Sequence, residues 1–294
     1  MTVEPRVRKG PVVRNAVGRD GGFRRIGVKR LTPVIGAEID GVDLRGPLGP
    51  EVVEELRQAL ADNLVIFFRD QAITPEQHVA FGRLWGDLHA HPAAPHEPAH
   101  PELMIIAADE NSVRANGEGW HTDVSCDPEP PMGSILHIVE CPPEGGDTLF
   151  ANMYAAYDAL SDRMKAHVDG LEAVHDGEHV YRGLYANLGV DDKPSYPKAR
   201  HPIVRTHPWT GRKCLYVNQG FTTHILGVPR EESQALLAYL YAHMAQPLFQ
   251  RRFRWSPNAI AFWDNRCAQH QAMWDYWPHR RFGHRVTVKG ERPV

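Results

Sequence analysis

The sequence is poor in several features that would have fixed a class at once. Only four cysteines occur in 294 residues, Cys126, Cys141, Cys214 and Cys267. None forms a CxxC pair, so neither a zinc ribbon nor a disulfide framework is indicated and buried free thiols are expected. No apolar run approaches the roughly 18 residues that span a bilayer, and the opening residues hold no apolar core of the signal-peptide kind. The expectation is a cytoplasmic protein with no membrane partner. Net charge is also low: 33 basic against 36 acidic residues leave a formal −3, which supplies no chain-wide attraction for nucleic acid. Neither GxGxxG nor GxxxxGK[ST] is present, so the nucleotide-binding folds lose their local signature.

What remains is an ordinary globular composition, 42% hydrophobic and 23% charged, long enough for one sizeable core. Residues 1–22 mix Arg, Lys, Gly and Pro without periodicity and read as a flexible arm; residues 23–294 read as a single domain. Short strands are expected around Thr32-Pro33, a helix over Glu51 to Asn63, and a buried strand at Leu64-Val65-Ile66-Phe67-Phe68. Thr74-Pro75-Glu76-Gln77 combines an N-cap, a proline at the first helical position and Gln at N3, so a helix follows to about Trp85. Strand-like runs recur at Leu103 to Ala107, Ile135 to Val139, Ile203 to Thr206, Cys214 to Asn218, Ala259 to Trp263 and Arg285 to Val288. Helices are expected at Tyr154 to Leu160, Ser161 to Asp169 and Arg230 to Met244. Many short strands with few helices between them indicate a mainly β sandwich or jelly roll with flanking helices. Two irregular stretches, near 91–118 and 176–201, are too long for passive connections and are candidate lids.

Trp120-His121-Thr122-Asp123 sets an imidazole and a carboxylate two residues apart, a spacing that puts both on one face of an extended chain. A third ligand would complete a two-histidine, one-carboxylate face that leaves positions open on iron(II). His270 is the candidate. From Arg281 to Thr287 alternate residues are Arg, Gly, Arg and Thr, a strand with two arginines on one face. A buried arginine needs an anion, either a ligand or a protein carboxylate such as Asp264 or Asp275.

These residues resemble the taurine dioxygenase family, which also includes alkylsulfatases and aryloxyalkanoate dioxygenases. The matching stretches are GAEIDGVDL, WHTDVS, GGDTLFANMYAAYDALS, HPIVRTHPWTG, LYVNQGFTTHILGV and AFWDNRCAQHQAMWDYWPHRRFGHRVTVKGERP. The resemblance implies a double-stranded β-helix holding Fe(II) through His121, Asp123 and His270. It implies 2-oxoglutarate chelated to the iron, its far carboxylate on Arg281 and Thr148, and O2 as the second cosubstrate. Arg285 would receive the anion of a small sulfonate, sulfate or carboxylate substrate, with His91 beside it and Phe221 as an aromatic wall. The implied reaction is hydroxylation, with release of succinate and CO2, by a homo-oligomer, dimer or tetramer. Where taurine enzymes carry a tyrosine and an asparagine near the substrate, this chain has Ala94 and Gly117, and Val180 and Tyr181 replace a serine and a phenylalanine; a larger, less polar pocket is implied. The competing readings are a non-catalytic jelly-roll protein that binds anions and a zinc-type hydrolase using the same ligands.

Overall fold

The run Leu64 to Phe68 decides the layering. The computed structural model describes residues 22–91, 94–114, 117–187 and 196–294, with backbone alone for 183–187; the expected N-terminal arm falls almost wholly outside these residues. In the strand Val65–Phe68, side chains alternate between two cores. Val65 and Phe67 join the cluster that contains Phe150 and Trp263, while Ile66 and Phe68 join Leu56, Leu60, Val79 and Phe81. A strand buried on both faces must be apolar throughout, which is why this one reads as an unbroken run.

The strand belongs to an eight-stranded sheet, in spatial order 27–30, 37–40, 65–68, 259–264, 133–140, 281–288, 100–108 and 96–97. All its pairings are antiparallel except that between Ala37–Asp40 and Val65–Phe68. One face is covered by the helices Pro50–Asn63 and Pro75–Arg83. The second of these has the expected capping box, with Gln77 backbone N–H donating to the Thr74 hydroxyl and the Gln77 side-chain Oε1 accepting from Thr74 N–H. The other face packs on a three-stranded sheet in which Thr148–Asn152 lies between Gln250–Phe253 and Ala268–Ala272. Phe150 meets Phe67 and Trp263 across the interface, with ring centroids 5.6 Å apart in each case. Two sheets closed face to face in this way are the mainly β jelly roll expected, with helices at its flanks. No helix among the described residues is long and apolar enough to cross a membrane.

Two expectations change. The run Cys214 to Asn218 is a strand only over Lys213–Leu215, because Asn218 turns the chain, its side-chain carbonyl accepting from Phe221 N–H. The strand expected at Leu103 to Ala107 is present and longer, over His100–Ala108, but the stretches read as irregular also contain the strand His96–Glu97 in one and the helix Glu178–Asn187 in the other.

The turn between Ala259–Asp264 and Ala268–Ala272 is held by a buried ionic network. Arg266 donates to both Asp264 carboxylate oxygens, at 2.9 and 2.7 Å, and His207 Nε2 lies 3.0 Å from Oδ2. Burial opposes ionisation of Asp264, but Arg266 and His207 hold its carboxyl well below the usual range. Removing the charge leaves the buried Arg266 guanidinium only the longer contact to Glu291, at 3.9 Å, so Asp264→Asn is expected to destabilise the protein by about 3 kcal/mol. Thermal unfolding checks this; a wild-type midpoint would show the network to be energetically idle.

Candidate metal centre and active-site pocket

His121 and His270 face each other across an isolated antiparallel bridge, exchanging backbone hydrogen bonds of 3.1 and 3.0 Å. Directly opposed residues send their side chains to the same face. The two imidazoles accordingly lie side by side, with centroids 4.1 Å apart. Asp123 follows after one residue at the entry to a turn, its Oδ1 3.8 Å from His121 Nε2 and its Oδ2 3.9 Å from His270 Nε2. One ligand atom from each residue lies within 4.8 Å of the others, a spread that fits a single cation.

The surroundings prepare these atoms for a metal. His121 Nδ1 donates to the Gly119 carbonyl at 2.7 Å, which leaves the Nε2 lone pair directed at the site. Burial pushes both imidazoles below their ordinary range, His270 furthest, so each is neutral at pH 7 and able to ligate. Asp123 is also buried, yet Arg285, and after it the Ser134 hydrogen bond, holds its carboxyl well below the usual range. Ser134 Oγ donates to its Oδ2 at 2.7 Å and in turn accepts from Asn265 Nδ2 at 3.0 Å, while Trp263 Nε1 donates to Asn265 Oδ1 at 2.9 Å. The tetrapeptide Trp263-Asp264-Asn265-Arg266 thus acts twice, orienting the candidate carboxylate ligand and bracing the turn that leads to His270.

Glycine is required where backbone approaches His121. Gly117 has φ +85° and a Cβ there would lie 2.9 Å from His121 Cε1; a Cβ on Gly220 would lie 2.8 Å from His121 Cβ. Any side chain at 117 would crowd the His121 ring on this backbone.

All eight candidate residues line one cavity of about 410 Å³: His91, His121, Asp123, Thr148, Phe221, His270, Arg281 and Arg285. Arg281 and Arg285 both face it from the strand Arg281–Val288, four residues and so roughly 13 Å apart along the backbone. Their partners differ. Arg285 Nη1 donates to Asp123 Oδ1 at 2.8 Å and Nη2 reaches the Met104 thioether sulfur at 3.3 Å. Arg281 is 6% exposed, meets no carboxylate within ion-pair distance among the described residues, and leaves Nε without a partner. The protein carboxylates that might have served are engaged elsewhere, Asp264 by Arg266 and Asp275 by Arg252. Burial pulls the Arg281 guanidinium downward, which an incoming carboxylate would offset. His91, pushed down to about 4 first by burial and then by Arg285, is neutral and can donate or accept. Ala94, Met104, Val180, Tyr181 and Phe221 supply much of the apolar wall.

A second cluster, His207, Asp264 and Cys267, has metal-like spacing but no free donors. His207 Nδ1 accepts from the backbone N–H groups of Trp209 and Thr210, so its Nε2 carries the proton given to Asp264. Sequence reasoning missed Ser134, Met104 and Trp255 around the pocket, because none belongs to a motif and each arrives through tertiary pairing.

A jelly roll whose cavity joins two histidines, a carboxylate and a buried arginine without a protein counter-ion defines an Fe(II)- and 2-oxoglutarate-dependent dioxygenase. Residues 27–287 match the family described as taurine catabolism dioxygenase TauD, TfdA family, and the chain belongs to that family. It is 36% identical over 285 residues to a putative alpha-ketoglutarate-dependent sulfonate dioxygenase of Schizosaccharomyces pombe, a match covering 90% of this chain and 70% of that one. It is 37% identical over 269 residues to the alpha-ketoglutarate-dependent sulfate ester dioxygenase of Pseudomonas putida, covering 88% of each. Among solved structures, a putative alpha-ketoglutarate-dependent taurine dioxygenase from Burkholderia xenovorans superposes with a TM-score of 0.81 at 39% identity, over 92% of this chain and 94% of that one.

The crowding of His121 by Gly117 generates a prediction. Gly117→Ala displaces the ring and is expected to weaken Mn(II) binding by about ten- to a hundredfold, the range for groups that orient a metal ligand, with the fold retained. Calorimetric titration checks it; wild-type affinity would show that His121 does not depend on this contact.

Proposed function

We propose that this chain hydroxylates a small anionic substrate, a sulfonate, sulfate ester or carboxylate, using Fe(II) held by His121, Asp123 and His270. The observation that carries the reading is Arg281, a buried cation lacking a protein counter-ion in the same cavity as a three-ligand metal face. A zinc-type hydrolase has no use for it, whereas the distal carboxylate of 2-oxoglutarate answers it with a bidentate, charge-assisted contact. Bound Fe(II), 2-oxoglutarate and O2 supply the oxidising chemistry, in which the cosubstrate leaves as succinate and CO2 and the substrate gains a hydroxyl.

The chain's own residues bind and orient. Arg281 and Thr148 hold the cosubstrate's far end. Arg285, already anchored to Asp123, presents Nη2 against only a weak thioether acceptor and leaves Nε unpartnered, so a substrate oxyanion there gains charge-assisted bonds. Neutral His91 adds a donor, and Phe221, Ala94 and Val180 exclude water around the tail. Glu118, at the exposed rim, is the one acidic lining side chain besides Asp123 among the described residues. The reading includes a cytoplasmic homo-oligomer, supported by the family resemblance alone.

Two outcomes test it. Arg281→Ala is expected to raise the KM for 2-oxoglutarate by about ten- to a hundredfold, the equivalent of a charged hydrogen-bond pair, with little change in substrate KM; the opposite pattern would exchange the two arginine roles. Hexyl sulfate or hexylsulfonate is expected to exceed taurine in kcat/KM by at least about tenfold, since each buried methylene contributes about 0.8 kcal/mol and an ammonium meets no buried partner. A clear preference for taurine, abolished by Glu118→Gln, would overturn the apolar-tail assignment.

A further inference from the structure

We propose that Trp255 is a positioning residue for the distal carboxylate of 2-oxoglutarate, orienting both groups that receive it. The proposal rests on the reading of Thr148 and Arg281 as that carboxylate's site. Trp255 follows the strand Gln250–Phe253, which pairs with Thr148–Asn152 so that Phe253 stands opposite Thr148. From there the indole turns back over the end of the pocket, fixed edge-on by Phe253 at a centroid distance of 5.1 Å. It is 7% exposed, inside the same core as Phe150.

The two parts of the indole do different things. Its edge donates Nε1–H to Thr148 Oγ1 at 3.0 Å, between two buried groups. A hydroxyl oxygen that accepts this bond turns its own proton elsewhere, and no protein acceptor takes that proton among the described residues. Thr148 lines the cavity, so its hydroxyl is set as a donor toward it. The face of the indole lies beneath Arg281, with Cζ 5.6 Å from the ring centroid, within the range of a cation–π contact. An aromatic face steadies a desolvated guanidinium without neutralising it, as a carboxylate would.

The neighbouring acids are kept from doing so. Asp147, next to Thr148, and Asp275 are both paired with Arg252. The end of the cavity therefore presents one aimed hydroxyl and one uncompensated guanidinium, and Trp255 is the side chain that touches both.

The test is calorimetric binding of 2-oxoglutarate and of oxalate to the Mn(II)-loaded enzyme, for Trp255→Phe, Thr148→Val and the double variant. Phenylalanine keeps a ring under Arg281 and deletes only the donor. Trp255→Phe is expected to weaken 2-oxoglutarate by about three- to tenfold, the range of one neutral hydrogen bond. The double variant is expected to bind it no worse than Thr148→Val alone. Oxalate, which chelates metal but has no distal carboxylate, is expected to bind all variants alike, an outcome that general damage to packing would not give. Unchanged 2-oxoglutarate affinity in Trp255→Phe, additive effects in the double variant, or an equal loss for oxalate would each overturn the proposal. If Arg281→Ala and Thr148→Val also leave 2-oxoglutarate binding intact, the underlying cosubstrate site is wrong; if they weaken it, only the role of Trp255 falls.

Discussion

The backbone bridge between His121 and His270 is the constraint on which the site depends. It joins a loop residue to the middle of a strand 149 positions later, and it does so with two main-chain hydrogen bonds rather than with side chains. Side chains opposed across such a pair cannot diverge, so the imidazoles are adjacent before any metal arrives. The sequence around the bridge serves it: Gly117 and Gly220 leave room for the His121 ring and backbone, and the Gly119 carbonyl fixes its tautomer. The Asp264–Arg266 network holds the turn just before the strand that carries His270. The jelly roll contributes by packing the Thr148–Asn152 and Ala268–Ala272 pair against the large sheet, which carries both arginines.

Charge is distributed by the same logic. Asp123 is buried, and the Arg285 guanidinium compensates its negative charge while the Ser134 hydroxyl hydrogen-bonds it. Arg281, four residues away on the same strand, receives no such compensation. One arginine thus has a carboxylate partner in the protein and the other has none among the described residues. The thioether of Met104 is a weak acceptor for the Arg285 Nη2 group, which leaves that donor less well satisfied than Nη1 on Asp123.

Much of this was legible in the sequence where local signals were strong. The Thr74 capping box, the helix Arg230–Met244 and the doubly buried Val65–Phe68 strand each follow from residue chemistry over a few positions. The alternation from Arg281 to Thr287 placed both arginines on one face, and both line the cavity. The strand that carries His270 was not legible, because Ala-Gln-His-Gln-Ala has no β-branched or aromatic residue and becomes a strand only by pairing with Thr148–Asn152. The helix Glu178–Asn187 was hidden in a stretch that reads as a loop, although its His179, Val180 and Tyr181 line the pocket. Ser134, Met104 and Trp255 are likewise brought to the site by strand register, which local sequence does not encode.

The metal centre is tested most directly by the visible charge-transfer absorption that a 2-oxoglutarate chelate of Fe(II) develops under anaerobic conditions. The wild-type protein is expected to show the band when both are added and neither alone. Asp123→Ala and His270→Ala are expected to lose it while keeping the wild-type far-ultraviolet circular dichroism. A band of wild-type intensity in either variant, or none in the wild-type protein at saturating Fe(II) and 2-oxoglutarate, would contradict the assignment of His121, Asp123 and His270 as the iron ligands.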